Sequence, residues 1–319
     1  MTIQTTRYGV ASAIVGAVLA VCPTLCAESP QDHFWQTRGR TFDRSRIQSL
    51  EVTLWRVDLN FRERGPGKPE VRVTRIEVAQ QGTRFLARYT YDNGSCEARW
   101  QDEQYAYECH RASAASSGGG GIWSIRPLAA ARRVDNPAEQ WLAECGYAPS
   151  ERYAKAGEGV VRSVDEASRT TVTKDTRYGN TSTSRYMVRD DTALFVHGEA
   201  TAATGTLMLE TDLVDWVQSA GLWFPRRTIS RSYMENSRID TPQTNASVRT
   251  AREHFLIDIS VNREIPADRL TEAIPEGARV DDFRVDPPVS YKYKKELTLG
   301  QIAEMARQRA LEKEIQGKR

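Results

Sequence analysis

The sequence is poor in the residue types from which most metal sites and many catalytic sites are built. It holds four histidines and five cysteines in 319 residues. None of the histidines stands at a metal-ligand spacing from another histidine or from a cysteine. A Gly-x-Ser-x-Gly nucleophile turn is absent, and the glycines at 118–121 lack the lysine and hydroxyl residue of a phosphate loop. These absences predict no catalytic residue, no metal site and no cofactor.

Charge is nearly balanced, and the one long apolar run stands at the N-terminus. Lysine and arginine number 44 against 42 acids, a formal net charge of +2, which argues against a dedicated nucleic-acid surface. Residues Val10–Val21 are apolar, and Leu25-Cys26-Ala27 offers a cleavage site before Glu28. The run is too short to span a membrane and is typical of a secretory signal. We therefore expect residues 1–27 to be a signal peptide. An uncleaved anchor, or lipidation at Cys22 or Cys26, is the alternative.

The predicted mature chain is periplasmic or secreted and has no transmembrane span, because no later stretch is long and apolar enough. Alternating apolar residues predict β-strands over most of its length. In the first strand the apolar positions change faces, from Leu50, Val52 and Leu54 to Trp55 and Val57. This change predicts a β-bulge near Leu54 and Trp55, and the next strand shows the same pattern. Neighbouring strands with such shifts predict a strongly curved sheet.

Two segments carry helix signals. Asn136 as N-cap, Pro137 at the first position and Glu139 in a capping box predict a short helix that ends at Gly146. Cys145 lies on its apolar side and is expected to pack there.

The second helix is C-terminal and amphipathic. Thr298 and Gln301 form a capping box, and an apolar stripe covers Leu299–Gln316. We expect it to dock on its own domain, although a partner-binding or membrane-surface role is also open. The predicted organisation is a β-rich domain at 28–296 followed by this helix at 297–319. An antiparallel sheet with helices on one side, an α+β fold, follows from this order of elements.

One hairpin predicts a disulfide. If Asp102-Glu103 is its two-residue tip, Trp100 faces Tyr105 and Cys96 faces Cys109. Opposed Cβ atoms are about 4.5–5.5 Å apart, and a disulfide needs about 3.5–4.5 Å. The alternative is two reduced, buried cysteines.

Two phrases near the C-terminus carry a family resemblance. They are GLWFPRRTISRSY, at Gly221–Tyr233, and FLIDISVNREIPADRLTEAIPEGARVDD, at Phe255–Asp282. They resemble the C-terminal part of proteins related to the LolA/LolB lipoprotein carriers of bacterial envelopes, where a strand with WFP precedes a strand that leads into IP and IPEG-RV-D. The resemblance implies a half-open, strongly curved antiparallel sheet closed by a few helices. It also implies an apolar cavity that carries lipid-modified proteins across the periplasm.

Aromatic residues along the predicted sheet are the candidate ligand-lining residues. They are Trp55, Phe85, Tyr89, Tyr91, Trp223 and Phe224. On the inside of a curved sheet such side chains form either an apolar pocket or a solid core, and the sequence leaves both open.

The favoured function is binding of a lipid or of the acyl chain of a protein, without catalysis. The alternative is a structural or interaction protein of the envelope with a filled core, which contacts another envelope protein through the C-terminal helix or the rim of the sheet. An exported hydrolase that uses acids distant in sequence is a third possibility.

Overall fold

The computed structural model describes residues 30–61, 69–113, 121–129, 135–148, 160–165, 170–177, 180–189, 191–233 and 248–317. The predicted signal peptide, with Cys22 and Cys26, lies outside these residues. The helices are α1 (Pro30–Thr41), α2 (Pro137–Glu144) and α3 (Leu299–Gly317). The strands are β1 (Ser49–Asn60), β2 (Glu70–Gln81), β3 (Arg84–Tyr91), β4 (Cys96–Gln101), β5 (Tyr105–Arg111), β6 (Ile122–Pro127), β7 (Val160–Asp165), β8 (Thr170–Arg177), β9 (Asn180–Arg189), β10 (Thr192–Thr201), β11 (Leu207–Ser219), β12 (Leu222–Tyr233), β13 (Val248–Val261), β14 (Arg279–Asp282) and β15 (Val289–Lys292).

These strands form one sheet. Its order is β15-β14-β6-β5-β4-β3-β2-β1-β13-β12-β11-β10-β9-β8-β7. Every neighbouring pair is antiparallel except β14 and β6, which are parallel. The long-range pairing of β1 with β13 joins two meanders, and the sheet is curved and unclosed, with β15 and β7 at its edges. The predicted fold class, a half-open antiparallel sheet with a few helices including one at the C-terminus, is confirmed.

The β1–β13 pair contains a register shift at the predicted level, but the extra residue lies on the partner strand. Thr53 pairs with Asp258 and Leu54 pairs with Leu256, so Ile257 has no partner on β1. β1 itself alternates regularly, and it pairs with β2 without any shift. The predicted bulge near Leu54 and Trp55 is therefore confirmed in position, although its extra residue lies on β13, and the similar shift expected in β2 is not found in its pairings with β1 and β3. The apolar residues change faces because the two faces of the sheet differ in polarity along its length.

The inner face, which we define as the face that carries α2, holds the main hydrophobic core. Its most completely buried members come from β1, β12, α2 and the segment before β1, and they include Phe42, Leu50, Leu54, Trp141, Leu142 and Phe224. The rings of Trp141 and Phe224 stack with centroids 5.9 Å apart. Burial of each such side chain stabilises the fold by about 1.5–3 kcal/mol.

α2 begins as predicted, but its acidic residue has another role. Asn136 accepts a hydrogen bond from the backbone N–H of Ala138 at 3.0 Å, which satisfies an otherwise free helical donor. Glu139 does not close a capping box. Its carboxylate accepts hydrogen bonds from Arg44 Nε at 3.1 Å and Gln80 Nε2 at 2.6 Å. These contacts tie α2 to the sheet and to the segment before β1.

The outer face, opposite to α2, carries the C-terminal segment over β3–β6, β14 and β15. Thr298 and Gln301 form the predicted capping box of α3, with the Thr298 N–H donating to Gln301 Oε1 at 2.9 Å. Ile302 and Ala306 are buried against this part of the sheet. The C-terminal half of α3 extends away from the sheet. Its apolar residues on the predicted stripe, Leu311 and Ile315, are therefore each 58% exposed. No helix in the described part of the chain is long and apolar enough to cross a membrane.

Candidate functional site: a polar cavity on the inner face

The inner face holds a cavity of about 720 Å³ beside the hydrophobic core. Proteins bind small ligands in pockets of about 300–1,000 Å³. Strands β1, β2, β12 and β13 supply its floor, and Glu144 at the end of α2 supplies the opposite wall. The charged and hydroxyl side chains of the floor include Arg56, Asp58, Arg72, Ser230, Ser232, Thr250 and Arg252.

The cavity lies where the inner face changes from apolar to polar. Along β1, Leu50, Val52 and Leu54 belong to the core, whereas Arg56 and Asp58 line the cavity. The facing strand changes at the same level, since Ile76 of β2 is buried but Thr74 and Arg72 line the cavity. Because side chains alternate along a strand, every second residue stays on one face. One continuous face is therefore half core and half polar cavity.

Asp58 binds two arginines at the centre of the cavity floor. Its Oδ2 lies 2.8 Å from Arg56 Nε, and its Oδ1 accepts a hydrogen bond from Arg252 Nε at 2.8 Å. Asp58 and Arg252 are direct partners in the β1–β13 pairing. Both contacts use the inner nitrogen of the guanidinium group. Among the described residues, no hydrogen bond from the terminal amino groups of either arginine is found, and each of these groups can donate two.

On the α2 side, a histidine and a glutamate meet at the border of the cavity. His254 is buried, with Nδ1 3.2 Å from Glu144 Oε2 and 3.2 Å from the hydroxyl of Thr228. His254 is the partner of Arg56 across the β1–β13 pair. This contact links the C-terminal end of α2 to the sheet directly beside the arginines.

Tyr91 forms the aromatic part of the cavity wall. Its hydroxyl donates to Glu97 Oε2 at 2.9 Å, and Glu97 is buried. Burial, together with the Glu97 carboxylate, raises the pKa of Tyr91 to about 12. Burial likewise raises the pKa of Tyr89 to about 12. Both phenols are therefore neutral near pH 7, and Tyr91 acts as a donor.

The six predicted lining residues fall into three environments. Tyr91 lines the cavity. Phe85, Tyr89 and Phe224 face inward but are buried in the core, and Trp223 packs against the core from a partly buried position. Trp55 points to the outer face and is 40% exposed, because β1 continues without a bulge. The part of the inner face beneath α2 is thus a core filled by the protein's own aromatic side chains.

Sequence reasoning missed the charged residues of the cavity floor. The alternation in the segment Trp55–Asn60, with a charged or polar residue at every second position, was the available signal. It marks a strand with one polar face, although it does not say that this face lies inside. The second arginine could not be found at all, since it lies 194 residues further along the chain.

The predicted Cys96–Cys109 disulfide is absent, and both cysteines are free. Cys96 pairs with Arg111, and Cys109 pairs with Ala98. The register differs because Asp102 begins the turn rather than occupying its tip: its Oδ1 accepts hydrogen bonds from two backbone N–H groups, those of Gln104 and Tyr105, at 2.7 Å each. The two cysteines are diagonal neighbours on the outer face, not opposed partners.

Cys145 packs as expected. It is completely buried beside α2, and burial raises the pKa of its thiol well above the ordinary value.

A second polar cluster lies on the outer face, across β10, β11 and β12. His197 Nδ1 lies 2.7 Å from Asp212, and its Nε2 lies 3.0 Å from Glu199. Arg231 bridges Asp212 and Glu210 at 2.8 and 3.1 Å. The hydrogen bond to Asp212, with a further contribution from Glu199, raises the pKa of His197 to about 9. The imidazole is therefore protonated near pH 7.

Two groups in the described residues have metal-ligand side chains close together: His197, Glu210 and Asp212, and Glu97, Glu108 and His110. Beside each group lies an arginine that already binds the carboxylates of that group. Arg231 does so in the first group, and Arg99 lies between Glu97 and Glu108 in the second. Ion-pair networks account for both arrangements.

The fold and site together define a half-open antiparallel sheet with a cavity on its inner face. No family model and no curated protein matches the chain. A number of solved structures resemble it, of which three are described. One is a DUF1329 family protein from Desulfovibrio piger, with 11% identity over 76% of this chain and 98% of that one, at a TM-score of 0.40.

Two further solved structures are similar to the chain. A LolA superfamily protein from Nitrosomonas europaea has 9% identity over 75% of this chain and 96% of that one, at a TM-score of 0.33. A putative outer membrane lipoprotein-sorting protein domain from Vibrio parahaemolyticus has 10% identity over 75% and 95%, at a TM-score of 0.37. At these identities the similarity concerns the fold alone.

Proposed function

We propose that this protein is an exported, non-catalytic binding protein of the cell envelope. Its ligand is hydrophobic or amphiphilic, a lipid or an acylated protein, and occupies the inner face of the curved sheet. The observation that carries the proposal is the cavity of about 720 Å³ that borders the apolar core. A ligand placed there would meet aromatic and aliphatic side chains at one end and polar groups at the other.

The position of α2 supports an amphiphile rather than a wholly apolar ligand. Trp141 and Leu142 fill the space between α2 and the sheet, and in the described part of the chain the cavity meets the core near Tyr91. The charged floor requires polar groups or water beside it, since an unpaired buried charge is costly. A molecule with one apolar and one polar part satisfies both ends.

The test is binding of a fluorescent single-chain amphiphile with a neutral glycerol headgroup to residues 28–319. We expect saturable binding. Ser230→Trp, which fills the cavity from β12, should abolish it, whereas Thr90→Trp, on the outer face of β3, should not. Circular dichroism must show that both variants are folded. Absence of binding by the folded wild type, or equal binding by Ser230→Trp, refutes the proposal. N-terminal sequencing of protein expressed in a bacterium tests cleavage after Ala27.

A second candidate function, an interaction protein of the envelope, is supported by the end of α3. Leu311 and Ile315 are each 58% exposed, although they continue the apolar stripe of a helix whose first half is docked. Truncation after Ala310 removes this end and keeps Ile302 and Ala306. If the end of α3 captures a partner from envelope extracts, the truncated protein should fold normally and lose the capture. Unfolding of the truncated protein would instead show that the end of α3 supports the fold.

A further inference from the structure

We propose that the cavity recognises a phosphate-type oxyanion on its ligand, and that Arg56 and Arg252 bind this group while Asp58 positions them. We call these three residues the arginine clamp. This inference rests on the proposed binding function and specifies the polar part of the ligand. A phosphate headgroup of a lipid and free inorganic phosphate offer the same chemistry, and the experiment below separates them.

The geometry of the clamp leaves its anion-binding groups unused. Arg56 and Arg252 each contact Asp58 through Nε at 2.8 Å. A guanidinium group has five N–H donors in a planar fork, and the terminal nitrogens make the bidentate contacts with phosphate. No described residue accepts a hydrogen bond from these terminal nitrogens. The hydrogen bond from Arg252 to Asp58 also fixes the orientation of the Arg252 fork, so less rotamer entropy is lost on binding.

Charge at the clamp favours an anion. Two arginines and one aspartate give a local charge of +1. Of the other charged groups of the cavity, Arg72 binds Glu70 at 2.8 Å, and the Glu144 carboxylate on the opposite wall lies 3.2 Å from His254. On the floor the two arginines contact a single acid, Asp58, so the positive centre lies there. The charge matches that of a phosphodiester, which is singly negative.

Partial burial strengthens the attraction. The side chains of Arg56, Asp58 and Arg252 are 22%, 28% and 39% exposed. Charges in such positions are screened by salt much less than surface charges. Hydrogen bonds between an arginine and an ionised phosphate are about twice as strong as neutral ones. The clamp is therefore suited to a group that enters the cavity, and not only to counter-ions at the surface.

Hydroxyl groups beside the clamp supply further contacts and favour phosphate over carboxylate. Ser230, Ser232 and Thr250 line the same cavity, and the hydroxyls of Ser232 and Thr250 lie 2.6 Å apart. A carboxylate has two oxygens, which a single guanidinium fork can satisfy. Two forks together with several hydroxyls fit a tetrahedral group with more oxygens.

The experiment compares three probes on residues 28–319. They are two fluorescent amphiphiles with the same acyl chain, one with a phosphate headgroup and one with a neutral glycerol headgroup, and inorganic phosphate. The variants are Arg56→Gln, Arg252→Gln and Arg252→Lys. Arg75→Gln is the matched control, because Arg75 lies on the outer face of β2 opposite Trp55 and is exposed. Thermal unfolding is measured for each variant.

We expect the wild type to bind the phosphate amphiphile about tenfold or more tightly than the neutral one, from charge-assisted hydrogen bonds. Each Gln variant should lose most of this preference without losing the neutral amphiphile, and Arg252→Lys should lose part of it because it keeps the charge without the fork. Arg75→Gln should behave as the wild type.

The outcomes separate this inference from the proposed function. Equal binding of both amphiphiles by the wild type, or an unchanged preference in both Gln variants, overturns the clamp and leaves the binding function intact. If the wild type binds inorganic phosphate but neither amphiphile, and the Gln variants lose this binding, the clamp is supported and the proposal of a hydrophobic ligand is refuted. Binding of none of the three probes refutes both.

Discussion

Replacement of His197 by glutamine is expected to destabilise the protein near pH 7 and to have little effect above pH 9. In the native protein, Asp212 and Glu199 hold the protonated imidazole at 2.7 and 3.0 Å and raise its pKa from 6.5 to about 9. A group whose pKa is raised by folding contributes stability below its unfolded pKa and loses that contribution as the pH rises through its folded pKa. The contribution of His197 is thus complete below pH 6.5 and is lost between about pH 6.5 and 9.

The shift in the pKa of His197 from 6.5 to about 9 corresponds to a contribution of roughly 3 kcal/mol to the free energy of unfolding, at about 1.4 kcal/mol per pKa unit. This figure is an upper limit. The side chains of His197, Asp212 and Glu199 are 24%, 30% and 39% exposed, and solvent screening reduces the energy of such ion pairs. We expect a loss of about 1–2 kcal/mol in the free energy of unfolding at pH 6.5.

The assay is urea unfolding of the wild type and His197→Gln at several pH values from 6 to 10. The difference between the two proteins, rather than either curve alone, isolates this residue from the other titrating groups. An NMR titration of the imidazole gives its pKa directly, and Asp212→Asn should lower that pKa towards 6.5. A difference in stability that is constant from pH 6 to 10, or a pKa near 6.5 in the wild type, would refute the reasoning.

Three further predictions concern positions where the fold allows little change. A Cβ on Gly198 would lie 2.7 Å from Phe195 Cζ, so Gly198→Ala should cost about 1–3 kcal/mol in urea unfolding, and Phe195→Leu should restore part of the loss if the clash is the cause. Asp282 is fully buried and binds Arg284 at 2.6 Å. Asp282→Ala should therefore cost about 3–5 kcal/mol, because it leaves a partly buried guanidinium without its anion; a loss under 1 kcal/mol would contradict this account. Cys145 should resist thiol reagents in the native protein and react only on unfolding, since burial raises its pKa and blocks access.

Local signals in the sequence determined several elements correctly. The N-cap of α2 at Asn136 and the capping box of α3 at Thr298 and Gln301 are interactions within three residues of the chain. Alternation of apolar and polar residues predicted the strands and the antiparallel sheet, and the resemblance of the two C-terminal phrases implied a half-open, curved sheet, which the structure shows. These features depend on neighbours along the chain, which a sequence displays directly.

Register and the location of the cavity were decided by the tertiary structure. The β4–β5 hairpin differs from its prediction because the Asp102 side chain stabilises a turn with its tip one residue later, and this small change removes the cysteine pairing. The inner face is core at Leu54 and cavity at Arg56, a difference that depends on where α2 ends above the sheet. Asp58 meets Arg252 only because β1 pairs with β13, across 194 residues. A sequence shows which side chains share a strand, but contacts between distant strands exist only once the chain has packed.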